Sequence, residues 1–506
     1  MLEKSSWQRF PWFTFGMTGI FLLSAALRFW NLGRFNTLVF DEVYYAKFAS
    51  NYLNQIPFFD GHPPLSKYII AIGMWLGSRF PVQQELENGL SGSLVAPWTY
   101  RWVNALLGSL LPILIAGIAY RLSHRRSYAL VAGGLAVADG MLLVESRFAL
   151  NNVHLILFGL LGQWSFLLAL DRQGLRRWLW LTFAGISFGA AIAIKWNGLW
   201  FLLGLYWLWA MAWGLHWFTL RWPASRFDRW GRPRMPSYSP LQNLTQLNVL
   251  HILVYLAIVP VLVYRLLWIP HLRLNPESGF WRLQQQILQY HQQVGGNTAD
   301  VHPYCSAWYT WPWMIRPVAY FYQRVRTPEE TVPALPPLPD AATQFVYDVH
   351  SIGNPVLWWL STLAILCLLV VLMQPLCQWI VRLCRRPATA KPSLSLTPSL
   401  WMALYLTLNY LANLLPWVRV TRCTFLYHYL SASLFSGLTL AWFIEQGLKS
   451  PFLWHRRAGI GVLLLVAIAF VFWMPLYLGM PMSVYDFRLR MWLPPRTWEW
   501  GRRPSR

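Results

Sequence analysis

FDEVYYAKFASNYLNQIPFFDGHPPLSKYIIAIGMWLG, residues 40–77, follows directly on an apolar run over residues 12–30. It sets an acidic pair, Asp41 and Glu42, just beyond a membrane-length segment, where a carboxylate is costly unless paired, solvated or used. An acid at a helix start also caps backbone N–H groups and matches the helix dipole, which accounts for one acid and leaves the other. EVYYAKFASNYL is amphipathic, with Tyr44 or Tyr45, Phe48 and Tyr52 roughly one turn apart. It predicts a helix lying on the membrane surface with its first turn under an active site. KYIIAIGMWLG is apolar but too short to span, so a second interfacial helix is expected after the rigid His62-Pro63-Pro64 turn.

Outward from this stretch the chain is apolar almost throughout. Of 506 residues 56% are apolar and 12% charged, against about a quarter charged in a soluble domain. The reading is an all-α polytopic membrane protein with eleven spans, at residues 12–30, 102–120, 128–144, 153–170, 178–194, 197–215, 248–269, 355–374, 399–416, 425–444 and 459–478. Alternate connections carry basic clusters: Arg121, Arg125 and Arg126; Arg172, Arg176 and Arg177; Arg226, Arg229, Arg232 and Arg234; Arg382, Arg385 and Arg386; Arg456 and Arg457. The positive-inside rule puts these in the cytoplasm. The formal charge of +23 is thereby explained by topology and anionic lipid, and nucleic acid is set aside as a partner.

Two long loops then face outward, 31–100 and 271–353, both rich in Trp, Tyr, Pro and His. Four units follow: a membrane module over 1–270 containing the first loop, the second loop over 271–353, C-terminal spans over 354–478 and an outer tail over 479–506. Of the five cysteines only Cys305 and Cys423 face the oxidising side, and whether they pair is open. VPALPPLPD near 332–340 reads as a stiff extended piece of the second loop.

The awkward polar residues gather on the outer side: Arg28, Arg101, Asp139, Glu145, Arg147 and Lys195 near span ends, and Arg419, Arg422 and His428 in the last outer turn. Interface anchoring alone biases Lys and Arg inward. Any single arginine here could snorkel or pair with a neighbouring acid. As a set, beside a carboxylate pair, they fit an anionic headgroup on a lipid tail, a lipid-linked phosphosugar held by arginine forks. His62, His302 and His428 show no metal-ligand spacing, and no metal or other cofactor is expected. Asp60, His62, Lys67, His302, Tyr304, Trp308, Arg316 and His428 are read as organising the loops or touching substrate. For the aromatics an interfacial belt is the competing explanation.

The ordered motifs resemble the protein O-mannosyltransferase family. They comprise the DE pair, HPPL at residues 62–65, RFW before the first loop, YRWVNALLGSLLP, ESRFALNN, AIKWNGLW, HPYCSAWYTWPWMIRPV and NLLPWVRVTRCTFLYHYL. The resemblance implies a GT-C glycosyltransferase that moves mannose, with inversion, from a polyprenyl (dolichyl-type) phosphate to Ser or Thr hydroxyls of exported proteins. It implies Asp41 as base, Glu42 as organiser of the site, and Arg28 and Arg101 in structure and donor phosphate binding; Arg147, Lys195 and Arg422 join the expected donor-binding set from the outer cationic cluster. Residues 271–353 are too short for the MIR repeats of eukaryotic relatives, so a bacterial member in the plasma membrane, active on the periplasmic side, is implied. Asn151-Asn152 stands where relatives often carry an Asp. Chemically, one carboxylate suffices as base, because a phosphate leaves as a stable anion without a second carboxyl as acid. Two other readings stay open: a GT-C transferase moving another sugar to lipid A or a polysaccharide, and a polyprenyl-phosphate flippase, which would place its polar residues at the bilayer midplane. Assembly into an oligomer in the membrane is also left open.

Overall fold

The computed structural model describes residues 11–82, 88–90, 93–221, 239–298, 300–325, 344–384 and 397–492. Arg226, Arg229, Arg232, Arg234, Arg385, Arg386 and the Pro-rich piece at 332–340 lie outside the described residues.

All eleven expected spans fall on helices, and the first is α1 (Trp12–Phe29). The first outer loop holds α2 (Glu42–Leu53), α3 (Leu65–Gly77) and a short hairpin of β1 (Asn88–Leu90) and β2 (Ser93–Val95). Then come α4 (Pro97–Ser123), α5 (Arg126–Val137), α6 (Gly140–Arg147), α7 (Asn152–Leu170), α8 (Gly174–Ile192) and α9 (Leu199–Arg221). The next span is α10 (Val249–Leu253), a π turn, α11 (Val259–Leu267) and α12 (Ile269–Leu274). The second outer loop carries α13 (Phe280–Gln293), β3 (Val318–Val325) and β4 (Phe345–Ser351). The chain closes with α14 (Pro355–Cys384), α15 (Pro398–Leu414), α16 (Leu430–Leu448), α17 (Leu453–Leu478), β5 (Met482–Ser483) and α18 (Val484–Arg490).

Among the described residues, seven helical segments are long and apolar enough to cross a membrane, and an eighth is the bent pair of α5 and α6. The remaining expected spans are the helices α8, α15 and α16. The chain is a multi-pass membrane protein. Helix α7 shows why the bundle holds: it is apolar on every side and almost wholly buried, the signature of a helix enclosed by others.

Two features depart from the sequence reading. The span expected over 128–144 is broken by a bend of 61° between α5 and α6. Asp139 sits in the break, accepting from the Leu142 N–H at 3.2 Å and from Trp358 Nε1 at 2.9 Å, so this acid is a buried helix cap. The outer end also holds a three-stranded antiparallel sheet, ordered β3-β4-β5. Val318 pairs with Ser351 and Arg324 with Val346, while β5 joins the tail to β4 through Phe345 and Ser483.

The outer loops are tied together. Gly296 bridges to Arg422, the Cys423 N–H donates to the Gly295 carbonyl at 2.9 Å, and the Ser306 N–H donates to Thr424 at 2.8 Å. Cys305 and Cys423 form a disulfide across 118 residues of sequence.

Candidate active site

Phe40 turns the chain into α2. Its φ of 52° is left-handed, a strained conformation for a bulky side chain, and its ring stacks on Tyr320 with centroids 4.1 Å apart. Asp41 follows at the N-cap position, but with helical backbone angles and no side-chain cap hydrogen bond. A capping acid takes an extended backbone and accepts from an N–H two or three residues on. The helix-start explanation therefore fails for Asp41, and its carboxylate is not committed to α2.

Glu42 is committed completely. Its Oε1 accepts from Arg101 Nε at 2.9 Å and the Ala149 N–H at 2.8 Å, and its Oε2 from Arg101 Nη2 and the Val39 N–H, both at 2.8 Å. The remaining Arg101 donors reach the carbonyls of Leu32, Phe35 and Thr37 at 2.8 to 3.2 Å. All five guanidinium N–H groups are thus satisfied inside the protein, which is what makes so deeply buried a pair tolerable. Arg147 Nη1 donates to the carbonyls of Leu27, Arg28 and Trp30 at the end of α1, a cation where a helix leaves carbonyls unpaired. Arg28 reaches Ser146 at 2.9 Å and the Ser24 hydroxyl at 2.8 Å. Arg101 thus ties α4 to the loop that carries Asp41, and Arg28 and Arg147 tie the end of α1 to α6.

The other cations face differently. A cavity of about 670 Å³ opens between the outer loops, lined by His62, Lys195, His291, Arg419, Arg422 and His428, with Trp196, Trp200 and Trp417 among its walls. Lys195 Nζ donates to Asn152 Oδ1 at 2.7 Å and lies 5.3 Å from the Tyr427 ring centre. Asn152 in turn donates to Glu145 at 3.1 Å, and Glu145 also accepts from the Tyr320 hydroxyl. The Asn152 amide thus links a cation to a carboxylate, a role its position after ESRF did not disclose. Arg422 gives one N–H to the Cys423 carbonyl at 2.9 Å and lines the cavity with the rest of its side chain.

Electrostatics follow from the enclosure. Desolvation pushes the Asp41 carboxyl up to about 6, with Lys195 opposing and Asp60 adding to the shift. Desolvation likewise lowers Lys195 to about 8, while Glu145 and Asp41 hold it up. His62 and His428 are driven well below the usual imidazole range by burial and the nearby cations, and burial and Arg422 lower His291 to about 4. At neutral pH the histidines carry no charge, so Lys195 and the arginines supply the positive field of the cavity.

The remaining predicted residues organise the walls. Lys67 pairs with Asp60 and donates to the His62 carbonyl at 2.8 Å, bracing the His-Pro-Pro turn. The His428 ring is 4.5 Å from Trp417 and its Nδ1 meets the Phe425 N–H at 3.0 Å. His302 packs on Phe425 at 5.1 Å and accepts from the Tyr304 N–H. Arg316 donates to the Cys305 carbonyl at 2.8 Å, and Trp308 packs on Tyr309. His302, Tyr304, Trp308 and Arg316 do not line the cavity. Among the described residues no three His, Cys, Asp or Glu side chains converge in a way that could hold a metal ion. His291 and Tyr427 belong to the site and were not singled out from the sequence, and Asn152, noted there only as a departure from relatives, belongs to it too. His291 sits in a Gln-rich helix with no motif, whereas Tyr427 and Asn152 stand within FLYHYL and ALNN and carry no charge to mark them.

Known proteins share both halves of the chain. Residues 18–274 match the family model described as dolichyl-phosphate-mannose-protein mannosyltransferase, and residues 277–498 match the C-terminal four TMM region of protein-O-mannosyltransferase. The polyprenol-phosphate-mannose–protein mannosyltransferase of Mycolicibacterium smegmatis is 25% identical over 94% of this chain and 92% of its own. Protein O-mannosyl-transferase 1 of Mus musculus is 31% identical over 52% of this chain and 33% of its own. In structure, the S. cerevisiae protein O-mannosyltransferase Pmt1-Pmt2 complex bound to the sugar donor aligns with a TM-score of 0.71 at 14% identity, covering 95% of this chain and 92% of that one, a likeness of fold. With residues 18–274 and 277–498 each matched by the corresponding family model, the chain belongs to the protein O-mannosyltransferase family.

Proposed function

We propose that this protein transfers mannose, with inversion, from a polyprenyl-phosphate donor to Ser or Thr hydroxyls of exported proteins, at the periplasmic face of the plasma membrane. The observation that carries the reading is an uncapped, desolvated Asp41 whose carboxylate is electrostatically coupled to Lys195, a residue that lines the cavity with Arg422. Asp41 accepts the hydroxyl proton as the acceptor oxygen bonds to the anomeric carbon. The phosphate departs from the opposite side of that carbon, which inverts it, and its charge is met by Lys195 and Arg422. Trp196, Trp200 and Trp417 give the first isoprene units an apolar wall. Glu42, Arg28, Arg101 and Arg147 act one layer back, holding the loop that aims Asp41.

The sidedness rests on charge. Arg121, Arg125, Arg126, Arg172, Arg176 and Arg177 lie on the α4–α5 and α7–α8 connections or at the helix ends beside them, which alternate with the loops of the site, and such clusters stay in the cytoplasm. The test is incubation of purified protein with radiolabelled polyprenyl-phosphate-mannose and a Ser/Thr-containing peptide. Label on the peptide hydroxyl, with inverted anomeric configuration, is expected. Label passing to lipid A or polysaccharide and never to peptide would overturn the reading.

A further inference from the structure

Beside the cavity runs a second groove, of about 490 Å³, between the 57–59 turn and α13. Its lining is uncharged: Pro57, Phe58, Phe59, Asn275, Ser278, Leu283, three glutamines and Tyr290. Helix α13 buries Phe280, Leu283 and Ile287 against Trp268 on one side. Its other side presents Gln286, Gln289 and Gln293 to the groove at spacings of three and four residues, one helical face. Among the described residues the side-chain amides of these glutamines make no hydrogen bond to the protein. Their row spans about 10 Å at 1.5 Å per residue, the reach of about three residues of extended chain.

A side-chain amide both donates and accepts, so such a row matches the alternating N–H and C=O groups of an extended polypeptide and asks nothing of its side chains. Phe59 and Tyr290, with ring centroids 6.3 Å apart, are both exposed at the groove, apolar faces on which small side chains and proline pack. The groove adjoins the cavity at Gln293, which lines both. At the junction Tyr290 lies so close over Gly61 that a Cβ there would meet its ring at 2.5 Å, and the next residue, His62, lines the cavity.

We infer that this groove binds the acceptor polypeptide itself, taking an extended, uncharged segment beside the modified Ser or Thr through backbone hydrogen bonds to Gln286, Gln289 and Gln293. The inference rests on the transferase reading above and adds to it a site for the acceptor chain and a preference for uncharged flanks.

The experiment compares two acceptors that share one Thr: a blocked tripeptide, and a peptide of about ten residues with uncharged flanks. Two surface variants are used, Gln286→Ala with Gln289→Ala, and Gln289→Glu. The double alanine variant should raise KM for the long peptide about tenfold, the loss of two backbone hydrogen bonds. It should leave kcat, and the tripeptide's kcat/KM, unchanged. Gln289→Glu should favour long peptides with Lys in the flank over those with Asp, a ranking that a merely structural role would not create. Unchanged KM for the long peptide, or equal losses for both acceptors, would overturn the groove while the transferase reading stands. Wild-type protein that turns over donor but labels neither acceptor would sink both.

Discussion

Two sets of basic residues stand at the same boundary of the bundle and behave in opposite ways. Arg28, Arg101 and Arg147 turn inward to carbonyls, hydroxyls and Glu42, whereas Lys195 and Arg422 border the cavity. The difference lies in how many donors the protein itself consumes. Arg101 has none left, so a phosphate could reach it only by dismantling the loop that holds Asp41. Nearness to a membrane boundary therefore does not distinguish a ligand-binding cation from a structural one.

The contrast can be broken experimentally, and the largest effect belongs to the base. Asp41→Asn keeps shape and removes basicity, so turnover should fall roughly 10² to 10⁴-fold while donor affinity stays near normal. Near-normal turnover by folded Asp41→Asn would remove Asp41 from the chemistry. Arg101→Ala strands Glu42 in the interior and should cost about 3–5 kcal/mol of stability, read as a lowered unfolding midpoint in detergent. A folded Arg101→Ala protein with weakened donor binding and unchanged midpoint would move Arg101 to the phosphate side.

Arg422→Ala should leave the midpoint nearly unchanged and weaken donor binding by about 10 to 100-fold, the worth of a charge-assisted hydrogen bond. Titration with labelled donor decides it. The rate should follow a bell in pH. Its acid limb belongs to Asp41, whose raised pKa puts the loss of base near 6, above the ordinary carboxylate value of about 4. Its alkaline limb belongs to Lys195, whose lowered pKa puts the loss of the cation near 8. The two limbs report the coupled site and not isolated groups. An acid limb near pH 4 would show that enclosure does not raise the titrating carboxylate. The smallest expected effect is none: exhaustive chelation should leave transfer intact, since lysine and arginine meet the phosphate charge. Activity lost in chelator and restored by Mn²⁺ would return the acids of the site to consideration as ligands.

Much of this arrangement could be read from the residues. Asp41, Lys195 and Arg422 stood out because a charge at the edge of an apolar span must be explained, and the helices at 42–53 and 65–77 followed from periodicity and length. What stayed hidden depended on tertiary partners. Nothing in YRWVN shows that five donors of one arginine will be satisfied by a loop some sixty residues away in sequence. FVYDVHS did not announce a strand, because Asp348 and His350 are buried along with its apolar residues and the alternation that marks a half-buried strand is lost. The 128–144 run read as a single span because hydropathy does not register a cap such as Asp139.

The Cys305–Cys423 link has a consequence for biogenesis. Synthesis delivers Asp41 after the first span and Arg422 only after α15, so the two parts of the site emerge at the beginning and near the end of translation. The bond that fastens the turn of Arg422 against the second loop awaits that last arrival and an oxidising milieu. A chain still being inserted carries Asp41 and Lys195 without Arg422, and the full set of cavity residues comes together only in the oxidised protein.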